Sequence, residues 1–231
     1  MSGTEPDPPR RRRRRGSLTA ERVLEAAFAL AEEQGLASFT MPDLASRLEV
    51  GVTGLYWHYR TKDDLIKAMS MPAVARLERL MVRPTHEDPQ LWRAFLRRYF
   101  EQLRAVYNQN PILADIMLLR PAPHDDDAVS FAYGALDRIL EYLVGAGFTP
   151  SSAWYIFSTA THFTQSTVIA ERSRTHNGEP LAGLRETGDL RQRGWASLAT
   201  LVAGSGVELD MTGDRAFRAG MDLILGGAHP G

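Results

Sequence analysis

The side chains best suited to do chemistry lie between Thr40 and Lys62, in TMPDLASRLEVGVTGLYWHYRTK. Lys62 brings an ammonium group, and Tyr56 and His58 bring polar ring atoms; all three can hold phosphate oxygens. Thr53 offers a hydroxyl and a methyl, and Gly54 has no side chain to keep a base edge or a thymine methyl at a distance. This is binding chemistry, and it needs a scaffold that presents the groups together. Thr40 can open that scaffold, because its hydroxyl can accept from a free backbone N–H at a helix start. Leu44, Ala45 and Leu48 follow at helical spacing. Glu49-Val50-Gly51 breaks the pattern, with Gly51 suited to the left-handed residue that ends a helix. A second helix is expected from about Val52 to Tyr59, with Val50, Val52 and Leu55 as the apolar wedge between the two. Thr53, Gly54, Tyr56, Trp57 and His58 then crowd its exposed side. A helix-turn-helix presents its second helix to a DNA major groove in this way.

The same residues carry a family resemblance. Thr40, Leu44-Ala45, Val50, Val52, Leu55-Tyr56, His58, Lys62 and Leu65 match the pattern of the tetracycline-repressor (TetR) family of one-component transcription regulators, which the chain resembles from about Ser17 to Gly227. The resemblance implies phosphate contacts from Thr40, Tyr56, His58 and Lys62, and base or sugar contacts from Val52, Thr53, Gly54 and Trp57. One position departs from it. Pro42 stands where tetracycline-binding members of the family carry a guanine-reading Arg, so the operator must differ and direct readout is sparse.

Charge is unevenly spread over the 231 residues. The net charge of −1 divides into +4 for residues 1–16 and −5 for the rest. Arg10 to Arg15 follow a Pro-rich start with almost nothing apolar, so residues 1–16 are expected to be a disordered arm. From Ser17 to Lys62 four basic residues face six acidic ones. Attraction to phosphates must therefore come from local placement of charge and from the arm, with Arg13, Arg14 and Arg15 as its DNA-contacting residues. Cysteine is absent, which fits a reducing cytosol and excludes thiolate metal sites. No apolar run approaches a membrane span, so a cytoplasmic protein with no membrane partner is expected.

The expected fold is all-α: a three-helix DNA-binding domain over residues 17–63 and a helical effector-binding and dimerisation domain over 64–231. Thr19 can cap a first helix running to about Gln34, with Leu24, Ala27, Phe28 and Ala31 inward and Gly35 at its end. Helices are then expected over Asp63 to Met81 (interrupted at Pro72), Leu91 to Tyr107, Ile112 to Leu119, Ala128 to Gly145, Ser151 to Arg172, Leu190 to Ala203 and Arg215 to Gly227. Asp125 to Asp127 read as a helix cap rather than, with His124, a metal site. No paired catalytic arrangement stands out, so no enzyme, metal or cofactor is expected.

Alignment with the family assigns effector contacts to Tyr99, Leu103, Ile116, Leu119, Arg120, Trp154, Phe157 and His162. Ile116 falls where a tetracycline-binding member holds magnesium through a His. An aliphatic side chain has no lone pair for a metal, so the resemblance implies an apolar or aromatic effector taken without a metal. Phe163, Thr167, Phe217, Met221, Ile224 and Leu225 are expected at a homodimer interface, the last four as one stripe of the final helix. The implied function is a homodimeric repressor that leaves a double-stranded DNA operator when a small-molecule effector binds.

Overall fold

The computed structural model describes residues 18–85, 87–119, 126–177, 187–204 and 212–231. Among them the regular elements are all helical and no strand occurs, which is the expected class. The chain divides into two compact units between Leu65 and Ile66.

The first unit is built on caps that the sequence spells out. Helix α1 (Ala20–Gln34) begins at Thr19, whose hydroxyl accepts from the Arg22 N–H at 3.3 Å, and stops at Gly35 with φ +89°. Its buried face is Val23, Ala27, Leu30 and Ala31. Leu24 and Phe28, expected at the centre of that face, are only half-buried. Both stripes of α1 are apolar, and the one that offers two alanines to its neighbour lies inward. Helix α2 (Met41–Arg47) opens with a reciprocal cap: Asp43 N–H donates to the Thr40 hydroxyl at 3.3 Å, and Thr40 N–H donates to the Asp43 carboxylate at 2.8 Å.

The end of α2 corrects the expectation for Gly51. Val50 N–H reaches the Ala45 carbonyl at 3.0 Å and Glu49 N–H the Ser46 carbonyl at 3.1 Å. That pair of bonds is a Schellman ending, and its left-handed residue is Glu49, with φ +55°. Gly51 is extended instead, with φ −70° and ψ 144°, and precedes α3 (Val52–Tyr56). Helix α3 is shorter than expected: Trp57 caps it with helical dihedrals, φ −71° and ψ −28°, and the His58 and Tyr59 N–H groups both close on the Leu55 carbonyl at 2.9 Å. Leu55 is fully buried, as are Phe39 and Leu44, while Val50 and Val52 are only partly covered.

Helix α4 (Lys62–Leu80) starts at a second reciprocal cap, between Thr61 and Asp64, with both bonds at 3.0 Å. It enters the second unit at Ile66 and runs on through Pro72. There a 3₁₀ turn (Pro89–Leu91) leads into α5 (Trp92–Gln109), and α6 (Pro111–Ala114) runs on as a π-helical turn (Asp115–Leu119). Then come α7 (Asp126–Gly145), α8 (Pro150–Asn177), α9 (Thr187–Gln192), α10 (Ala196–Gly204) and α11 (Asp214–Gly226). The single helix expected from Leu190 to Ala203 is two, broken at Gly194 with φ +77°.

Helix α8 is the pillar of this unit, with α5, α7 and α11 packed around it. Phe163 stacks on Phe217 at 5.5 Å between ring centres, and its ring lies over Gly220, where a Cβ would sit 2.3 Å from Cζ. Phe217, Met221 and Leu225 are each at most 1% exposed. These three therefore belong to the chain's own α11 contact, not to a face open for a partner, and Thr167 at 6% exposed joins them. Ile224 is half-covered, and the fully open apolar residue of α11 is Leu223, 79% exposed. The expected stripe was off by the step between neighbouring faces of one helix.

Beside this contact, Arg104 of α5 donates to Glu171 of α8 and to Asp214 of α11, the latter at 2.7 Å. Glu171 also accepts from Asn108 at 2.7 Å and from the Gly213 N–H at 3.0 Å. Burial alone would raise the Glu171 carboxyl, but these donors outweigh it and hold it below the ordinary carboxylate range. Among the described residues no helix is long and apolar enough to cross a membrane.

Candidate functional site

Two places in the chain carry candidate binding chemistry, one in each unit. In the first, the cap at Thr40 and the Schellman ending at Glu49 fix α2, and buried Leu55 anchors α3. What α3 and the turn after it leave outward is Thr53, Tyr56, Trp57 and His58, all exposed. Trp57 is 87% exposed, an extreme value for an indole. Val52 and Gly54 are partly covered, and a Cβ at Gly54 would meet nothing nearer than Leu18 at 4.0 Å.

Two residues expected at this face have other partners. The Thr40 hydroxyl donates to the Asp43 carboxylate at 2.6 Å while accepting from the Asp43 N–H, so it serves the cap. Lys62 Nζ donates to the carbonyls of Ala37 at 2.8 Å and Phe39 at 2.6 Å, and lies 4.3 Å from the centre of the Phe39 ring. Lys62 thus ties the first turn of α4 to the segment before α2. Arg13, Arg14 and Arg15 lie outside the described residues.

The second place is a cavity of about 350 Å³ in the second unit. Helix α5 lines it with Tyr99, Leu103 and Tyr107 at four-residue intervals, and α8 faces them with Phe157, Thr161 and Gln165 at the same interval. Helix α4 adds Val74, Leu77 and Glu78, Met81 follows just past its end, and α7 adds Ala132, Tyr133 and Leu136. Of the residues that the resemblance assigned to an effector, Tyr99, Leu103 and Phe157 line this cavity. Trp154 is elsewhere, 44% exposed on another side of α8. His162 is exposed as well, its ring Nδ1–H bonded to the Ser158 carbonyl at 2.8 Å.

Ile116 is 2% exposed but packs into the core, and Met117 takes the place beside the cavity. The π-helical turn accounts for that shift, because one extra residue per turn rotates the side chains past their α-helical positions. Arg120 and the Leu119 side chain lie outside the described residues. Tyr107, Thr161 and Gln165 were missed, although the four-residue spacing from Tyr99 and Phe157 points to them.

The wall is mostly carbon. Burial pushes the Tyr99 hydroxyl up, helped by the neighbouring Tyr107 and Glu78, and burial does the same to Tyr107. Glu78 lies in reach of Arg138 at 3.0 Å and Arg83 at 3.7 Å. Among the described residues no group of three His, Cys, Asp or Glu could hold a metal ion.

A helix-turn-helix unit followed by a helical unit with its own apolar cavity defines a helix-turn-helix regulator. A family profile described as "Bacterial regulatory proteins, tetR family" matches residues 23–69, and one described as "Tetracyclin repressor-like, C-terminal domain" matches residues 84–229. The chain belongs to the tetR family of bacterial regulatory proteins. It is similar to an HTH-type transcriptional repressor of Mycobacterium tuberculosis, 33% identical over 163 residues, which are 71% of this chain and 61% of that protein. The chain thus spans about three-fifths of the length of that relative. It is also similar to the tetracycline repressor protein class A from transposon 1721 of Escherichia coli, 31% identical over 215 residues, with 91% of this chain and 90% of the relative covered.

Solved structures share the fold. Apo ActR from Streptomyces coelicolor gives a TM-score of 0.69 at 22% identity, covering 92% of this chain and 95% of that one. A TetR variant from Acinetobacter baumannii AYE, in complex with minocycline, gives 0.62 at 24% identity, covering 91% of this chain and 92% of that one.

Proposed function

We propose that this chain is a homodimeric repressor, released from a pseudo-palindromic DNA operator by a small, flat, largely apolar effector. The observation that carries the reading is the apolar cavity of about 350 Å³ in a unit separate from the helix-turn-helix. A volume in the range of small-molecule sites, walled by aromatic and aliphatic side chains, suits such a ligand. Proteins of like fold were solved with minocycline in one case and, for ActR, with actinorhodin in another. A metal-held effector does not suit this cavity, because neither Ile116 nor Met117 offers magnesium the oxygen ligand it prefers.

On the DNA side, Thr53, Tyr56, Trp57 and His58 form the reading surface, supported by Val52 and Gly54. Thr40 and Lys62 brace that surface. Arg13, Arg14 and Arg15 add phosphate attraction that the acidic remainder of the head lacks. A dimer meets successive major grooves when its two heads lie about 34–36 Å apart. Self-association uses the outward apolar residues of α8 and α11, namely Tyr155, Ile169 and Leu223, in place of the buried stripe. An effector that moves the equilibrium from 1:99 to 99:1 must prefer the released state by about 5.5 kcal/mol.

The test is to sequence the DNA that the protein selects from a random pool, then to titrate the selected operator complex with hydrophobic aromatics. Selection of a pseudo-palindrome and release by one of these compounds is the expected result. Failure to enrich any sequence, or release only by tetracycline with Mg²⁺, would overturn the reading.

A further inference from the structure

The cavity wall holds an unused hydrogen-bonding group. Tyr107 is 3% exposed and lines the cavity, yet its hydroxyl makes no hydrogen bond among the described residues. Among those residues no completely buried side-chain nitrogen or oxygen lacks a partner. The sliver of Tyr107 that stays accessible therefore includes its hydroxyl, and the cavity is what that hydroxyl meets. Tyr99, two helical turns earlier on the same face of α5, also makes no side-chain hydrogen bond among the described residues, nor does Gln165 across the cavity. Thr161 is different, since its hydroxyl already donates to the Phe157 carbonyl at 2.8 Å.

Such a group is useful in a filled pocket. A phenol facing the cavity with no protein partner keeps its donor free, and a ligand oxygen placed against it takes up that bond. Burial keeps both tyrosine hydroxyls protonated, so each arrives as a donor. Glu78 is the charged residue among the described lining, and its charge is negative. A ligand carboxylate would face it with no cation from that lining to compensate.

We infer that the effector carries an uncharged oxygen acceptor, a ketone or quinone carbonyl, on an otherwise apolar flat frame, and that the Tyr107 hydroxyl receives it. The inference rests on the cavity being the effector site, as proposed above.

The test uses two probes of nearly the same shape, 9-fluorenone and fluorene, which differ by a carbonyl in place of a methylene. Equilibrium dialysis of each against the full-length protein gives the two affinities. The wild type should hold fluorenone about fivefold or more tightly than fluorene, the worth of one net hydrogen bond. Tyr107→Phe should abolish that preference by weakening fluorenone alone, with unchanged fluorene binding and thermal unfolding. Fluorene-9-carboxylate should bind more weakly than fluorenone. Equal wild-type affinities, a preference that survives Tyr107→Phe, or a tighter carboxylate would overturn the inference while leaving the cavity an effector site. If neither fluorenone nor fluorene binds, the cavity reading itself fails and the inference falls with it.

Discussion

The Lys62 ammonium donates to the Phe39 carbonyl at 2.6 Å while resting 4.3 Å from the centre of the same residue's ring. With the Ala37 carbonyl at 2.8 Å, this makes Lys62 a clasp within the DNA-binding unit. Lys62→Met should lower stability by about 1–3 kcal/mol, the range for hydrogen bonds made by a charged group. Operator affinity should fall through the misplaced α2, with the salt dependence of binding unchanged. A salt slope reduced by about 1 would instead put this ammonium on a phosphate.

Trp57 should behave in the opposite way. At 87% exposed it supports little of the fold, so Trp57→Ala should leave the unfolding midpoint within about 0.5 kcal/mol of wild type. Operator affinity should drop by about 1–3 kcal/mol. Fluorescence anisotropy and a urea titration on the same sample separate the two effects.

Glu49 sits at φ +55° in the Schellman ending of α2, where a side chain is strained. Glu49→Gly should stabilise the protein by up to about 1 kcal/mol, and Glu49→Val should destabilise it. Chemical denaturation reads both; a glycine variant weaker than wild type would mean that the Glu49 side chain contributes something the backbone does not reveal.

Gly220 carries the ring of Phe163. An alanine there gains about 1 kcal/mol of helix propensity but must push aside a ring stacked on Phe217, a crowding worth about 1–3 kcal/mol. Gly220→Ala should therefore be neutral to destabilising alone and stabilising in a Phe163→Leu background. The change of sign in that double-mutant cycle is the measurement.

Acid should loosen the second unit at Glu171. Its carboxyl is held low in the folded chain, so its contribution is complete above the ordinary carboxylate range and is lost as pH falls through the depressed value. Glu171→Gln should flatten that part of the stability profile. Arg104→Ala leaves a carboxylate only 14% exposed without its guanidinium and should cost about 3 kcal/mol near neutral pH. At the alkaline end Tyr99 and Tyr107 are held high by burial, so their contribution fades as pH climbs above the ordinary tyrosine range.

How much of this was legible in the sequence follows from whether the cause was local. Thr19, Thr40 and Gly35 act on neighbours three or four residues away, and their roles could be read directly. Glu49 could not, because the rule favours glycine and a glycine stood two residues on; the bonds from Glu49 and Val50 decide it. Faces of helices with two apolar stripes were misread, at Leu24 and Phe28 in α1 and at Phe217, Met221 and Leu225 in α11, since only the neighbour's shape selects the buried stripe. The cavity was half legible. Tyr99, Leu103 and Phe157 came from alignment, but the π-helical turn displaced Ile116, and Tyr107 became visible only as the third residue on one face of α5.

Helix α11 has no side-chain cap of its own at its start. The carboxylate that takes the Gly213 N–H is Glu171, 42 residues back on α8. A helix of 13 residues is marginal in water by itself, and this one also borrows its first hydrogen-bond acceptor. Its formation must therefore wait until α8 is in place. In folding kinetics, changes along α11 should speed unfolding and leave the folding rate nearly untouched, so the C-terminal helix is a late arrival that guards the folded state against opening.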